Sequence, residues 1–242
     1  MFGSDARLQL LKSFELSHNG SGLSLPLGAQ RLLAFLALQN DGAQRAWAAE
    51  HLWPDCTPCR AAGNLRSALC HARRACPAAV VEVTGQSLRL SPTVRVDLYE
   101  VSKAADDVTA RLGPPAGAEA GLIDDLRQEL LPEWPEDWLV LERERWDQLR
   151  LHALETLAQQ LQAAQRFVPA LQVALAAVGI DPVRETAHRI VMEVHLAEGN
   201  VASAFRCYRN YKDLLERELS ISPSQRMSEL VEELRVGRRL SA

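Results

Sequence analysis

No acidic residue occurs between Cys56 and Val81, a stretch that carries four arginines in a chain whose formal net charge is −4. Other absences narrow the function. The longest apolar run, Leu32 to Leu38, is far too short to span a bilayer. The N-terminus has no basic segment followed by an apolar one, so no secretory leader is expected. Catalytic signatures are missing as well: no Gly-rich phosphate loop sits between a strand and a helix, Gly-x-Ser-x-Gly does not occur, and the histidines are scattered. The expectation is a protein that is not an enzyme. Five cysteines, an odd number without the spacing of a disulfide framework, fit a reducing cytoplasm.

What is present is asymmetric. Residues 1–96 carry ten Lys/Arg and six Asp/Glu, a balance of +4, whereas residues 97–242 carry seventeen and twenty-five, a balance of −8. Only the first part is expected to meet a polyanion. The acid-free stretch reads as a helix with two faces. Ala61, Leu65, Ala68, Leu69, Ala72 and Cys76 share one sector of about 100°. Arg60, Asn64, Ser67, His71 and Arg74 follow each other on the opposite side, flanked by Arg66 and Arg73. Such a surface suits the major groove of DNA, and a solvated basic face is the plainer alternative.

Arg7–Leu16 and Leu23–Leu27 read as strands around His18–Gly22, where Asn-Gly marks a hairpin. Gly28–Gln39 reads as an apolar helix and Ala46–Trp53 as a short one, closed by Pro54. Thr57-Pro58 opens the basic helix, which stops before Pro77. Val80–Val83 and Leu88–Leu90 form a second hairpin, and Val94–Val96 adds a short strand. A winged helix-turn-helix domain has this order, with the second hairpin as the wing.

From Asp97 the pattern is helical, broken at Gly113–Gly117. A long amphipathic helix runs over Glu142–Gln165, with Leu149, Leu154, Leu157 and Leu161 on its apolar side. Phe167, Ala170, Leu171 and Ala174 recur 34 positions later as Val201, Ala204, Phe205 and Tyr208, the tetratricopeptide period. The expected fold is therefore mainly α with a small β part: a winged helix-turn-helix domain over 1–96, then an all-α tetratricopeptide-like array over 97–242. Trp134, Trp138 and Trp146 are expected to pack between helices, with Trp134-Pro135 a candidate for a domain junction. His188 and His195 share one helical face and read as core-edge residues.

Cys56, Cys59, Cys70 and Cys76, with His71, supply enough ligands for zinc within a short span. On a continuous helix, however, Cys70 and Cys76 point about 120° apart. The expectation is buried or half-exposed thiols, with no metal and no other cofactor.

Eight segments spread over nearly the whole chain carry a resemblance to a known family. In the first part the resemblance rests on Leu25-Pro-Leu-Gly-Ala-Gln-Arg-Leu-Leu-Ala, Glu50-His-Leu-Trp-Pro-Asp and Asn64-Leu-Arg-Ser-Ala-Leu-Cys-His-Ala-Arg. Leu130-Leu-Pro-Glu-Trp, Trp138-Leu-Val-Leu-Glu-Arg-Glu-Arg and Asp181-Pro-Val-Arg-Glu-Thr-Ala-His-Arg extend it. Ala204-Phe-Arg-Cys-Tyr and Leu214-Leu-Glu-Arg-Glu-Leu-Ser-Ile-Ser-Pro-Ser complete it. Together these segments, in this order, resemble the family of Streptomyces antibiotic regulatory proteins (SARPs), and they are specific jointly though none is so alone. The resemblance implies an OmpR-like winged helix followed by a bacterial transcriptional activation domain (BTAD). It implies a cytoplasmic, nucleoid-associated activator that binds direct repeats in double-stranded promoter DNA, two protomers side by side. Such an activator recruits RNA polymerase through its σ factor and α subunit, typically at secondary-metabolite gene clusters, without a membrane partner. ATP dependence is not implied, and Cys59 and Cys70 are no part of the family pattern.

On this reading Arg60, Asn64, Arg66, Ser67, His71, Arg73 and Arg74 face the major groove. Gly85, Gln86 and Arg89 of the wing, with Arg31 and Arg45, lie near the backbone or minor groove. The competing reading is a tetratricopeptide interaction scaffold whose winged domain contacts protein.

Overall fold

The computed structural model describes residues 6–39, 41–76, 78–110 and 119–240. Pro77 and the glycine- and proline-rich stretch at 113–117 lie outside them. The chain divides into two compact units: one gathers residues up to Lys103 together with Gln128–Trp146, the other Ala104–Arg127 and the chain from Asp147 onward.

In the first unit β1 (Ala6–Gln9), β2 (Glu15–His18) and β3 (Ser21–Leu23) form an antiparallel meander. The stretch expected to be one strand from Arg7 to Leu16 is thus two. Alternation holds as far as Leu10 and then fails, because Leu10 and Leu11 are both buried. Their N–H groups donate to the Asp97 carboxylate at 2.9 and 3.0 Å, and Lys12 turns the chain at φ 74°. The Asn19-Gly20 turn (φ 50° and 79°) joins β2 to β3, as its sequence predicts. Leu27, expected to end a strand, instead begins α1 (Leu27–Leu38).

A two-residue strand, β4 (Ala43–Gln44), which the sequence pattern does not betray, precedes α2 (Arg45–Leu52). Gly42 makes that strand possible: its φ is 77°, and a Cβ there would lie 2.5 Å from the Leu88 carbonyl oxygen. Next come α3 (Pro58–Ala75), β5 (Val81–Thr84), β6 (Ser87–Leu90) and β7 (Val94–Val96). β4, β6 and β5 form a three-stranded sheet, while β7 returns to pair in parallel with β1, Leu8 opposite Val96. The helices α1, α2 and α3 pack on each other around Leu32, Leu36, Leu52, Leu65 and Leu69.

Asp97 opens α4 (Asp97–Thr109), and its carboxylate also accepts the Leu98 N–H at 2.7 Å. Burial raises this carboxyl above the usual aspartate range, while the three N–H donors and Arg7 pull it back. The helical run expected from Asp97 is interrupted between α5 (Glu119–Leu126) and α6 (Leu139–Ala163). There the chain joins the first unit: Leu130 bridges to Leu11, and Leu131 N–H donates to the Leu10 carbonyl at 3.0 Å. Arg143 fastens the segment by donating to the carbonyls of Leu130, Leu131 and Trp134. Trp134 stacks on Phe14 and Trp138 meets Phe35 edge-on, at centroid separations of 5.7 and 5.5 Å. Neither tryptophan is wedged between helices of the array as expected; both pack on aromatics contributed by the N-terminal part.

The second unit contains α5, the remainder of α6, and α7 (Phe167–Ile180), α8 (Glu185–Ala197), α9 (Val201–Leu219) and α10 (Gln225–Leu240). α7 packs on α8 and α8 on α9. The 34-residue offset is visible in the starts of α7 and α9, and Ala170, Ala174 and Ala204 are fully buried where helices meet. On α6, Leu154, Leu157 and Leu161 are buried, but Leu149 is only half so. The buried row includes two charges, Arg150 and Glu155. Glu155 takes both ends of Arg184 at 2.6 and 3.1 Å, which raises the guanidinium pKa further. His188 is buried, stacks on Tyr211 at 4.3 Å, and pairs through Nε2 with the Pro182 carbonyl at 2.9 Å. No helix among the described residues is long and apolar enough to cross a membrane.

Burial holds the His188 pKa below its ordinary value of 6.5, so acid favours the unfolded chain. Stability present above pH 6.5 should decline as pH falls through that value toward the lower folded pKa, by at most about 1.4 kcal/mol per pH unit. Urea midpoints followed by circular dichroism should show this decline, and His188→Phe, which keeps the ring stack, should flatten it.

Candidate nucleic-acid interface

α3 starts where Thr57 holds extended backbone (φ −60°, ψ 151°) and Pro58 supplies a preset helical φ. Thr57 occupies the cap position, but its side chain makes no capping bond. Ala61, Leu65, Ala68, Leu69 and Ala72 are buried, as the helical reading requires, and Cys76 is buried at the C-cap. On the other face Arg60, Arg66, Ser67, His71, Arg73 and Arg74 are exposed. Asn64 differs: it is half-buried, with Nδ2 3.7 Å from Cys56 Sγ, so its amide lies at the edge of the polar row.

Among the described residues, none of Arg60, Arg66, Arg73 and Arg74 takes part in an ion pair, although arginine pairs are common elsewhere. Arg7 and Arg95 share Glu100, and Arg184 holds Glu155. The absence of acid within the stretch explains this, since no carboxylate comes within reach along the helix. Four unneutralised guanidiniums on one exposed helix face are an anion-binding surface.

The wing follows. Glycine is suited to the β5–β6 turn because Gly85 has φ 59°, and Gln86 beside it is exposed. Arg89 is exposed on β6 in register with Glu82, and its charge also acts on Tyr99. Arg45 N–H donates to the Gln86 carbonyl at 2.8 Å, so the start of α2 and the wing turn are adjacent, and the Arg45 side chain is half-buried. Arg31 does not join this group. Its guanidinium lies 2.7 Å from Glu136 Oε2, both side chains are mostly buried, and Trp138 Nε1–H donates to the same oxygen at 3.1 Å. Arg31, expected near the DNA backbone or minor groove, is engaged in this internal ion pair. Glu136 is distant in sequence, and no local signal announces the contact.

The cysteines also depart from expectation. Cys59 and Cys70 are exposed on α3, Cys56 is half-buried and only Cys76 of this group is buried. Among the described residues no three His, Cys, Asp or Glu side chains are grouped to hold a metal ion.

A two-faced basic helix packed on two others and followed by a β-hairpin defines a winged helix-turn-helix unit, here in a chain with tandem helix pairs. Residues 119–235 match the family model described as the bacterial transcriptional activator domain. No curated protein matches the chain by sequence. Among solved structures, Mycobacterium tuberculosis EmbR in complex with a low-affinity phosphopeptide matches with a TM-score of 0.75 at 18% identity. The match covers 98% of this chain and 66% of the EmbR chain, so this chain spans just under two thirds of that structure's length. The two share a fold.

Two outcomes check the placement. Brief alkylation of the native chain should modify Cys59 and Cys70 first by mass spectrometry. Cys76 should be spared by burial, and Cys207 by a thiol that burial pushes up to about 11. Arg31→Ala should cost about 1–3 kcal/mol in urea unfolding, where Arg66→Ala should cost almost nothing.

Proposed function

We propose that the chain is a sequence-specific DNA-binding activator of transcription that acts on direct repeats in promoter DNA and recruits RNA polymerase. The observation that carries this reading is the exposed row of unpaired guanidiniums on α3, in a chain with a bacterial transcriptional activator domain. Residues 1–96 do the DNA reading, and the acidic part from 97 onward serves contacts with polymerase or a second protomer. Arg60, Arg66, Arg73 and Arg74 enter or border the major groove, with Ser67 and His71 on phosphate or mixed contacts and Asn64 at the groove edge. Gly85, Gln86, Arg89 and Arg45 approach the neighbouring backbone or minor groove.

The SARP resemblance supports the finer assignments: the σ factor and α subunit as polymerase contacts, a secondary-metabolite gene cluster as target, and a nucleoid-associated place in the cytoplasm. A balance of +4 over residues 1–96 argues for weak binding by one protomer. A second protomer on the adjacent repeat raises the affinity by linking the two contacts.

Footprinting on the promoters beside the chain's own gene locates the site. On that site Arg66→Ala should cost about 1–3 kcal/mol and relax the preference at one base pair if the contact is to a base. If it is to phosphate, the loss should be equal on all sequences and the salt dependence shallower. An Asn64→Ala, Arg66→Ala double variant that binds as the parent does would refute the placement of α3. Gel shifts should show tighter binding to two half-sites than to one. Retention on promoter DNA at moderate salt separates this reading from a protein-interaction scaffold, which is not held.

A further inference from the structure

In the helical unit, α7, α8 and α9 line an open cleft of about 340 Å³, within the size range of small-molecule sites. Its lining divides by helix. α7 contributes only apolar groups, Leu175 and Val178, and Leu175 is half exposed. α9 contributes a polar wall of Ser203, Arg206 and Asn210. Between them α8 places Val191 and His195.

Two features make this wall receptive to an anion. First, no acidic residue lines the cleft, although residues 97–242 carry a balance of −8. Second, Arg206 has no carboxylate partner among the described residues; Nη2 donates to Ser203 Oγ at 3.2 Å, which holds the guanidinium along α9. Its neighbours are committed, Arg189 to Glu193 and Arg184 to Glu155. The remaining lining groups add no negative charge. Cys207 keeps its proton, and His188 is occupied by Tyr211 and the Pro182 carbonyl.

We propose that the α7–α9 cleft binds a small amphiphilic carboxylic acid, with its carboxylate on Arg206 and Asn210 and its hydrocarbon body against Leu175 and Val178. A charge-assisted bond to arginine fixes the head group, and burial of the chain against α7 supplies the remaining affinity.

Calorimetric titration of the full chain with octanoate and octanol, which differ in charge but share a hydrocarbon body, tests this. Octanoate should bind one saturable site, and octanol at least about tenfold more weakly. Arg206→Gln should lower octanoate affinity about tenfold and leave octanol unchanged. Leu175→Glu, which sets a like charge on the apolar wall, should weaken octanoate too. Both altered positions are at least half exposed, and unchanged urea midpoints should show both variants folded. Absence of saturable octanoate binding, equal affinity for the two probes, or an Arg206→Gln variant that binds octanoate unchanged would each overturn the assignment. A cleft that serves only a protein partner gives the first of these results.

Discussion

Packing of Ala61, Leu65, Ala68, Leu69 and Ala72 against α1 and α2 is the constraint on which the winged unit depends. Small residues on that face bring the three helices close, and Leu65 and Leu69 fill the space that Leu32, Leu36 and Leu52 leave. Once this face is buried, the orientation of every other α3 side chain is set, because a helix presents its residues in a fixed rotation. Arg60, Arg66, Arg73 and Arg74 project because the alanines and leucines between them do not. The wing is placed by the same core: Leu88 and Leu90 are buried, and α1 packs against β6.

Charge is sorted as carefully as apolar surface. Several arginines outside α3 meet acids that order the chain: Arg31 with Glu136, Arg95 with Glu100, Arg184 with Glu155. On α3 the acids are absent, so the guanidiniums keep their full attraction for an external anion. Arg206 repeats this arrangement on a smaller scale, as an uncommitted cation beside an apolar wall.

Much of the winged unit was legible because its signals are local. Asn19-Gly20 demands left-handed backbone and marks the first hairpin, Pro58 and Pro77 bracket the basic helix, and the two faces of α3 follow from its alternating chemistry. The break in the expected Arg7–Leu16 strand left only a faint trace, the doubled Leu10-Leu11. Its cause, the Asp97 carboxylate, is remote in sequence. Exposure of Cys59 and Cys70 follows from helical phase, whereas the half-burial of Asn64 depends on the turn before α3 that carries Cys56.

By itself the sequence determined the two faces of α3, the wing turn, the 34-residue period and the division of charge between the two parts of the chain. Each of these depends on neighbours within a few residues or on a repeat of fixed length. Only the tertiary structure decided that Gln128–Trp146 folds with the N-terminal residues, that Arg31 is neutralised by Glu136, and that α7, α8 and α9 line an open cleft without acid. Those outcomes join residues far apart in the chain, and no local preference of backbone or side chain encodes such a meeting.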